Sequence, residues 1–323
     1  MMIDIHTHAL PPRVLKLVEN DKRYRVDLSG GQWKSAHIAP FPITEAWYKP
    51  SEKLKEMDRQ KLDASVLSAA PKPLFYHDLD LEPQALMARE VNLGLAEFCN
   101  GHEDRMRWMA QVPLTFPDES CRTLEQAKAE GAVGVQISTS ANGHRLDEER
   151  YEPFWSKLEE LDLPAFLHPA YERDLPEFAD FRLGPVLALG VEVTVTLERM
   201  IYKSVFDRHP KLVIIAALGG GFFPYNVGRL RHYSRIGSGF EGLTKRDPWS
   251  YVGQIKFDCF LHDPQQIRFL ISQAKPENVL LGTDASFRSM MPDPVGVLRE
   301  AADGNAAIVN QIGDTNARAL FWR

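Results

Sequence analysis

The chain has 323 residues, of which 44% are hydrophobic, 25% charged and 10% aromatic, so it is long enough to bury a large core and too apolar for disorder. Its 38 Lys and Arg against 44 Asp and Glu give a formal net charge of -6, which leaves no excess positive charge to track a phosphate backbone, and no nucleic-acid partner is expected. The three cysteines, Cys99, Cys121 and Cys259, are scattered and lack Cys-x-x-Cys spacing, which supports neither a disulfide scaffold nor a thiolate zinc site and points to a reducing cytoplasm.

The N-terminus, Met-Met-Ile-Asp-Ile-His-Thr-His, carries a carboxylate at Asp4 and no basic segment followed by an apolar stretch of signal-peptide length. No run approaches the roughly 18 apolar residues of a membrane span. Short apolar runs instead alternate with longer amphipathic ones, the pattern of repeated strand-helix units around a buried parallel sheet. The predicted strands are Met2–Ile5, Ala64–Leu67, Arg107–Val112, Val133–Ile137, Ala165–Leu167, Leu212–Ala217, Lys256–Phe260 and Val279–Gly282. Helical patterns between them include Pro83–Cys99, Asp118–Glu130, Glu148–Leu161 and Val191–Phe206. Eight such units fit a (β/α)8 TIM barrel, typically about 250 residues plus insertions. An open doubly wound sheet is the alternative. The main insertion, Asn20–Pro50, holds Gly30-Gly31, Pro40, Pro42, Pro50 and the aromatics Trp33, Phe41, Trp47 and Tyr48 without helical periodicity. It is expected to be an ordered cover over one barrel mouth, within a single domain spanning residues 1–323.

In a barrel the reacting groups sit at the carboxyl ends of strands. His6 and His8 close the first strand, and a period of two puts both side chains on one side, where they can converge on an ion. His168 ends the fifth strand in Leu167-His168-Pro169, and Asp284 ends the eighth in Gly282-Thr283-Asp284. Three imidazoles and a carboxylate at matching edges suit Zn²⁺ or another divalent first-row ion, with Mn²⁺ as the second choice.

On these residues the sequence resembles the amidohydrolase superfamily, in the branch of aminocarboxymuconate-semialdehyde decarboxylase and related metal-dependent decarboxylases and hydrolases. The resemblance spans nearly the whole chain. It rests on Asp4-Ile5-His6-Thr7-His8, Glu56-Met57-Asp58, Gly134-Val135-Gln136-Ile137, Leu167-His168-Pro169, Gly219-Gly220-Gly221 with Phe223-Pro224 and Gly228-Arg229, His262-Asp263-Pro264 and Gly282-Thr283-Asp284. It implies one metal held by His6, His8, His168 and Asp284, and an arginine, Arg229, that helps hold a substrate carboxylate. The two-metal members use a bridging lysine at the fourth strand, and Val133–Ile137 offers none. Arg229 also reads as a solvated helix arginine beside Arg231 and Arg235. Asp263 and Pro264 read as a helix cap and first helical residue, which weakens His262 as a functional candidate.

Two departures stand out. Leu218 occupies the position where the family places a water-activating histidine, and Phe41 stands near that of a second carboxylate-binding arginine, for which Lys34, His37 or Lys49 are substitutes. With Phe222 and Phe223 nearby, Leu218 suggests an apolar wall, so Leu218, Phe223 and Arg229 are the expected substrate contacts. The first functional expectation is a metal-dependent, non-oxidative decarboxylase of a small unsaturated or aromatic acid, with Asp284 shuttling the proton. A metal-dependent hydrolase of an ester, lactone, amide or carbon-carbon bond is the alternative. A homologue that binds ligand without turnover is the third. The expected partner is a small-molecule substrate, with no membrane; a homodimer is left open.

Overall fold

The structure is a computed structural model that describes all residues except 37, 71–73, 171–177, 179, 237–243 and 245. Twelve strands are found among the described residues, and eight of them form one parallel sheet: β1 (Ile3–Ala9), β4 (Ala64–Ala69), β5 (Met106–Ala110), β6 (Gly134–Ile137), β9 (Ala165–Leu167), β10 (Ile214–Ala216), β11 (Ile255–Asp258) and β12 (Val279–Leu280). The other four are two short antiparallel pairs, β2 (Gln32–Ser35) with β3 (Ile38–Pro42) and β7 (Ser140–Ala141) with β8 (His144–Arg145). Every sheet strand overlaps a predicted run, because each is a short, largely buried apolar stretch, although β1 continues four residues past the predicted end at Ile5.

The sheet closes on itself. Ile5 N donates to Leu281 O at 2.9 Å, and Thr7 bridges in parallel to Ala285. This is the (β/α)8 barrel and excludes the open doubly wound alternative. Gly282 makes the seam close-fitting, since a Cβ there would lie 2.9 Å from the Cβ of His6 and 3.1 Å from that of Asp258.

Inside the barrel, Ile3, Ile5, Val66, Met109, Phe166, Ile215 and Leu280 pack together, with Ala317 and Phe321 of the last helix completing the cluster. A larger apolar layer lies between sheet and helices. Proline opens five of those helices, Pro12–Asn20, Pro50–Arg59, Pro117–Ala129, Pro264–Ala274 and Pro294–Ala301, where its missing N–H costs nothing. Asp263 caps the fourth of these by accepting from Gln265 N, as its sequence position implies. No described helix is long and apolar enough to cross a membrane.

The stretch between β1 and β4 has structure that periodicity did not disclose. β2 and β3 pair as a hairpin, with Trp33 opposite Phe41, although β3 contains Pro40 and Pro42. A two-stranded ribbon tolerates proline because each strand has a free edge that needs no ladder donor. Tyr24, Trp33 and Trp47 are fully buried, while Pro50 begins the helix that leads into β4.

Candidate metal centre

His6 and His8 sit in the last half of β1, His168 directly follows β9, and Asp284 lies four residues beyond β12. The register of β1 breaks between Asp4 and Thr7, and Asp4 braces the break by accepting from His6 N at 3.0 Å and from Thr283 Oγ1 at 2.7 Å. The three imidazoles then converge through Nε2. His6 Nε2 is 3.1 Å from His168 Nε2, and Asp284 Oδ1 lies 3.5 Å from His6 Nε2 and 3.3 Å from His8 Nε2. One ligand atom from each of the four residues falls within 4.8 Å of all the others, and all four residues are buried.

The opposite nitrogen of each ring is held in place. His6 Nδ1 meets Asp258 Oδ2 at 2.6 Å, His8 Nδ1 meets Ser68 Oγ at 3.0 Å, and His168 Nδ1 meets the Pro169 carbonyl at 2.9 Å. Such partners fix ring orientation and leave Nε2 free to ligate. Asp258 in turn accepts from Gly219 N at 2.9 Å, which ties the end of β11 to the turn after β10. Ser289 Oγ donates to Asp284 Oδ2, leaving Oδ1 to face the imidazoles.

The charges are strongly coupled. Burial opposes protonation of His6, but the carboxylates of Asp258 and Asp284 outweigh it and raise its pKa to about 10. Burial, reinforced by His6, lowers His8 to about 4 and pushes His168 well below the ordinary imidazole value. Asp284 is also buried, yet the close approach of the His6 and His8 rings holds its carboxyl well below the usual range. His8 Nε2 is buried and makes no hydrogen bond of acceptable geometry, even with Asp284 Oδ1 close by. An orphaned buried nitrogen is costly, and a cation at the centre of the four groups would satisfy it. The residues therefore fit a single divalent ion.

A cleft of about 1820 Å³ runs outward from His6, His168 and Asp284. Leu218, Phe260, Leu261 and Phe287 form its apolar walls, and Phe178, Val186, Phe222 and Phe269 line it as well. Phe260 and Phe287 touch the imidazoles directly, with ring centroids 5.4 Å from His6 and 5.4 Å from His8 respectively. Ile38 and Ala39 of the hairpin also line the cleft, and Phe41 and Trp47 pack on Phe287 at 5.5 and 4.8 Å.

The expected substrate contacts are only partly brought here. Leu218 lines the cleft, in left-handed backbone with φ of 56°. Phe223 does not; it is fully buried in the core against Trp249 and Phe257, and its neighbour Phe222 faces the cleft instead. Arg229 is absent from the described lining. It is exposed, stacked 4.8 Å over the Tyr233 ring and bonded to that hydroxyl at 3.1 Å. Lys34 pairs with Asp27 and Ser29, Lys49 pairs with Glu45, and His37 lies outside the described residues. His262 lines the cleft, edge-on to Phe260.

The sequence profile of the amidohydrolase family matches residues 3–323. The chain belongs to the amidohydrolase family. This amidohydrolase is 32% identical over 316 residues to the gamma-resorcylate decarboxylase of Rhizobium radiobacter, covering 90% of the chain and 91% of the relative. It is 26% identical over 310 residues to the 2-amino-3-carboxymuconate-6-semialdehyde decarboxylase of Dictyostelium discoideum, covering 89% and 82%. Its fold matches a 5-carboxyvanillate decarboxylase of Novosphingobium aromaticivorans, solved with bound manganese, at a TM-score of 0.84 and 23% identity, covering 100% of this chain and 97% of that one. The amidohydrolase is thus an enzyme of the carboxy-lyase branch.

Several residues of the site carried no flag in the sequence. Asp258 could have been found, because it ends the seventh strand and the rule that marks His168 and Asp284 marks it equally. Ser68, Ser289, Phe260 and Phe287 are residue types that occur throughout any chain, and only the fold singles them out.

Proposed function

We infer that the enzyme removes CO₂, without a redox cofactor, from a hydroxylated aromatic monocarboxylic acid bound with its ring between Leu218, Phe260 and Phe287. The observation that carries this reading is the convergence of three Nε2 atoms and one carboxylate at the end of an apolar cleft. His6, His8, His168 and Asp284 would hold the metal. A bound divalent ion would polarise substrate oxygens and favour ionisation of the ring hydroxyl. Zinc is the expected metal for three imidazoles and one carboxylate, with manganese next, as in the carboxyvanillate relative.

Asp284 is ionised at neutral pH, so it acts first as a base. It takes the proton of the ring hydroxyl and passes it to the ring carbon that bears the carboxylate. The carbon-carbon bond then breaks, its electron pair returns to the ring, CO₂ departs, and the phenolate product takes a proton from water. Ser289 keeps the Asp284 carboxylate turned during both transfers. The aromatic walls exclude water from the ring. The hairpin, which touches Phe287, serves as a cover over this end of the cleft.

Leu218 shapes the choice of substrate. It offers no proton acceptor beside the ligands, which favours decarboxylation over a hydrolysis that must begin with activated water. The test is a panel of hydroxybenzoic acids assayed for CO₂ release beside activated esters and lactones assayed for acid release, with metal measured by elemental analysis. Turnover of acids by protein carrying about one divalent ion per chain supports the reading; ester or lactone turnover alone makes it a hydrolase, and binding without turnover makes it a binding homologue. Sedimentation velocity tests the homodimer.

A further inference from the structure

The helix Pro50–Arg59 carries a buried ion pair that the reaction above does not use. Lys53 is fully buried and Glu56 nearly so, and they meet at 2.8 Å. Lys53 Nζ has two further acceptors, Ser286 Oγ at 2.9 Å and Thr7 Oγ1 at 3.3 Å, so all three ammonium protons are used. Ser286 Oγ also donates to Glu56 Oε2 at 2.6 Å. One turn on, Gln60 Nε2 donates to the Met291 carbonyl at 3.0 Å.

Lys53, Glu56 and Gln60 follow an i, i+3, i+7 spacing and form one stripe of the helix. Each end of that stripe grips the same segment, the loop that leaves β12. Thr7 stands between the ligands His6 and His8, Ser286 is two residues beyond Asp284, and Met291 returns to Thr283 through a backbone bond of 2.9 Å. The stripe therefore clamps the end of β1 to the loop that carries Asp284, at the barrel seam. A burial this complete has a desolvation cost that an apolar pair would avoid, so stability alone is a weak reason for it.

We propose that Lys53 and Glu56 are positioning residues that set Asp284 against the imidazoles of β1, through Ser286 and Thr7. The proposal rests on the metal-binding reading of the four-residue cluster. It gives a role to Glu56 of the Glu56-Met57-Asp58 motif, whereas Asp58 points outward to Arg105 at 2.8 Å.

The test is the double variant Lys53→Met with Glu56→Leu, which removes both charges at similar volume and leaves no unpaired ion. Melting temperature, affinity of the metal-free protein for Zn²⁺ or Mn²⁺ by calorimetry, and kcat and KM on the best acid are read together. The expected result is a melting temperature of the metal-free variant near that of the metal-free parent, metal affinity lower by about 10- to 100-fold as for other groups that orient ligands, and kcat lower with KM little changed. Parent-like metal affinity and kcat in the folded double variant would overturn the proposal. Should the double variant not fold, Ser286→Ala cuts the link without stranding a charge. Weaker metal binding there, restored by Ser286→Thr, supports the proposal, and unchanged binding refutes it. A parent protein that binds no divalent ion would instead refute the reading of the cluster, independently of the clamp.

Discussion

His6 sets the proton stoichiometry of the site. With its pKa near 10 it is an imidazolium at neutral pH, while His8 and His168 are neutral and Asp284 is ionised. An incoming divalent ion must displace one proton, that on His6 Nε2, because Nδ1 stays bonded to Asp258. A group with a raised pKa competes as long as the pH is below it, so metal affinity should rise about tenfold per pH unit from 7 to 9 and level off as the pH passes His6. Calorimetry in buffers of differing ionisation enthalpy should report release of about one proton; release of none at pH 7.5 would show that His6 is already neutral. Leu218 makes a second prediction. Its left-handed backbone suits histidine, which is enriched in that region, better than leucine. Leu218→His should therefore fold and keep its metal, yet place a polar ring in the apolar wall beside Phe260 and lower kcat/KM on an uncharged-ring acid several-fold. A gain in kcat/KM with unchanged metal content would show that the position wants an acid-base group.

Strand ends were the legible part of the sequence. His6, His8, His168 and Asp284 could be placed because a strand's period of two and the common direction of parallel strands fix where a residue at the carboxyl edge must point. The turn after β10 defeated the same logic. Gly219, Gly220 and Gly221 all have positive φ, 62°, 77° and 63°, so the phase in which the following helix begins cannot be read through them. An error of one residue turns a helix face by about 100°, which is the difference between Phe222 in the cleft and Phe223 in the core. Arg229, implied by the resemblance alone, is placed on Tyr233 as the solvated helix arginine its neighbours Arg231 and Arg235 also suggested. Lys53 and Glu56 were hidden for another reason: an i, i+3 charge pair on a helix reads as a solvated face, and only the seam contacts bury it. The hairpin was missed because β2 and β3 are short and rich in turn residues. Its attachment is testable at Phe287, which holds Phe41 and Trp47 on one side and His8 on the other. Phe287→Ala should speed amide exchange across 32–42 and raise KM, with the strands of the barrel still protected. Unchanged exchange in the hairpin would mean that its own buried Trp33 suffices to hold it.

At the scale of the whole barrel, the four residues of the candidate metal cluster are not spread evenly. His6, His8 and Asp284 belong to β1 and the residues after β12, the two ends of the chain's sheet, and His168 stands across the mouth after β9. The backbone bonds that cross this seam lie beyond the two-residue β12, through Leu281, Thr283, Asp284 and Ala285 in irregular backbone. An ion held by both sides would therefore act as a closure for the barrel as well as a reagent. Without it, the three buried imidazoles carry one proton beyond their neutral complement, on His6, and His8 Nε2 is left without a partner. Anything that binds the folded chain and not the unfolded one stabilises it by mass action, about 2.7 kcal/mol at a free ion concentration 100 times the dissociation constant. For a domain of this size that corresponds to a rise of about 4 °C in melting temperature. Chelation of the purified enzyme should lower its Tm by that order, and readdition of the ion should restore it. The loss should come first as faster exchange at β1 and at residues 281–285, the seam, ahead of β5 and β6 on the far side. His6→Ala should melt at one temperature whether or not metal is present. If chelator leaves the parent Tm unchanged while removing the metal, the ion contributes chemistry alone, and the barrel is closed by its backbone bonds and the clamp behind them.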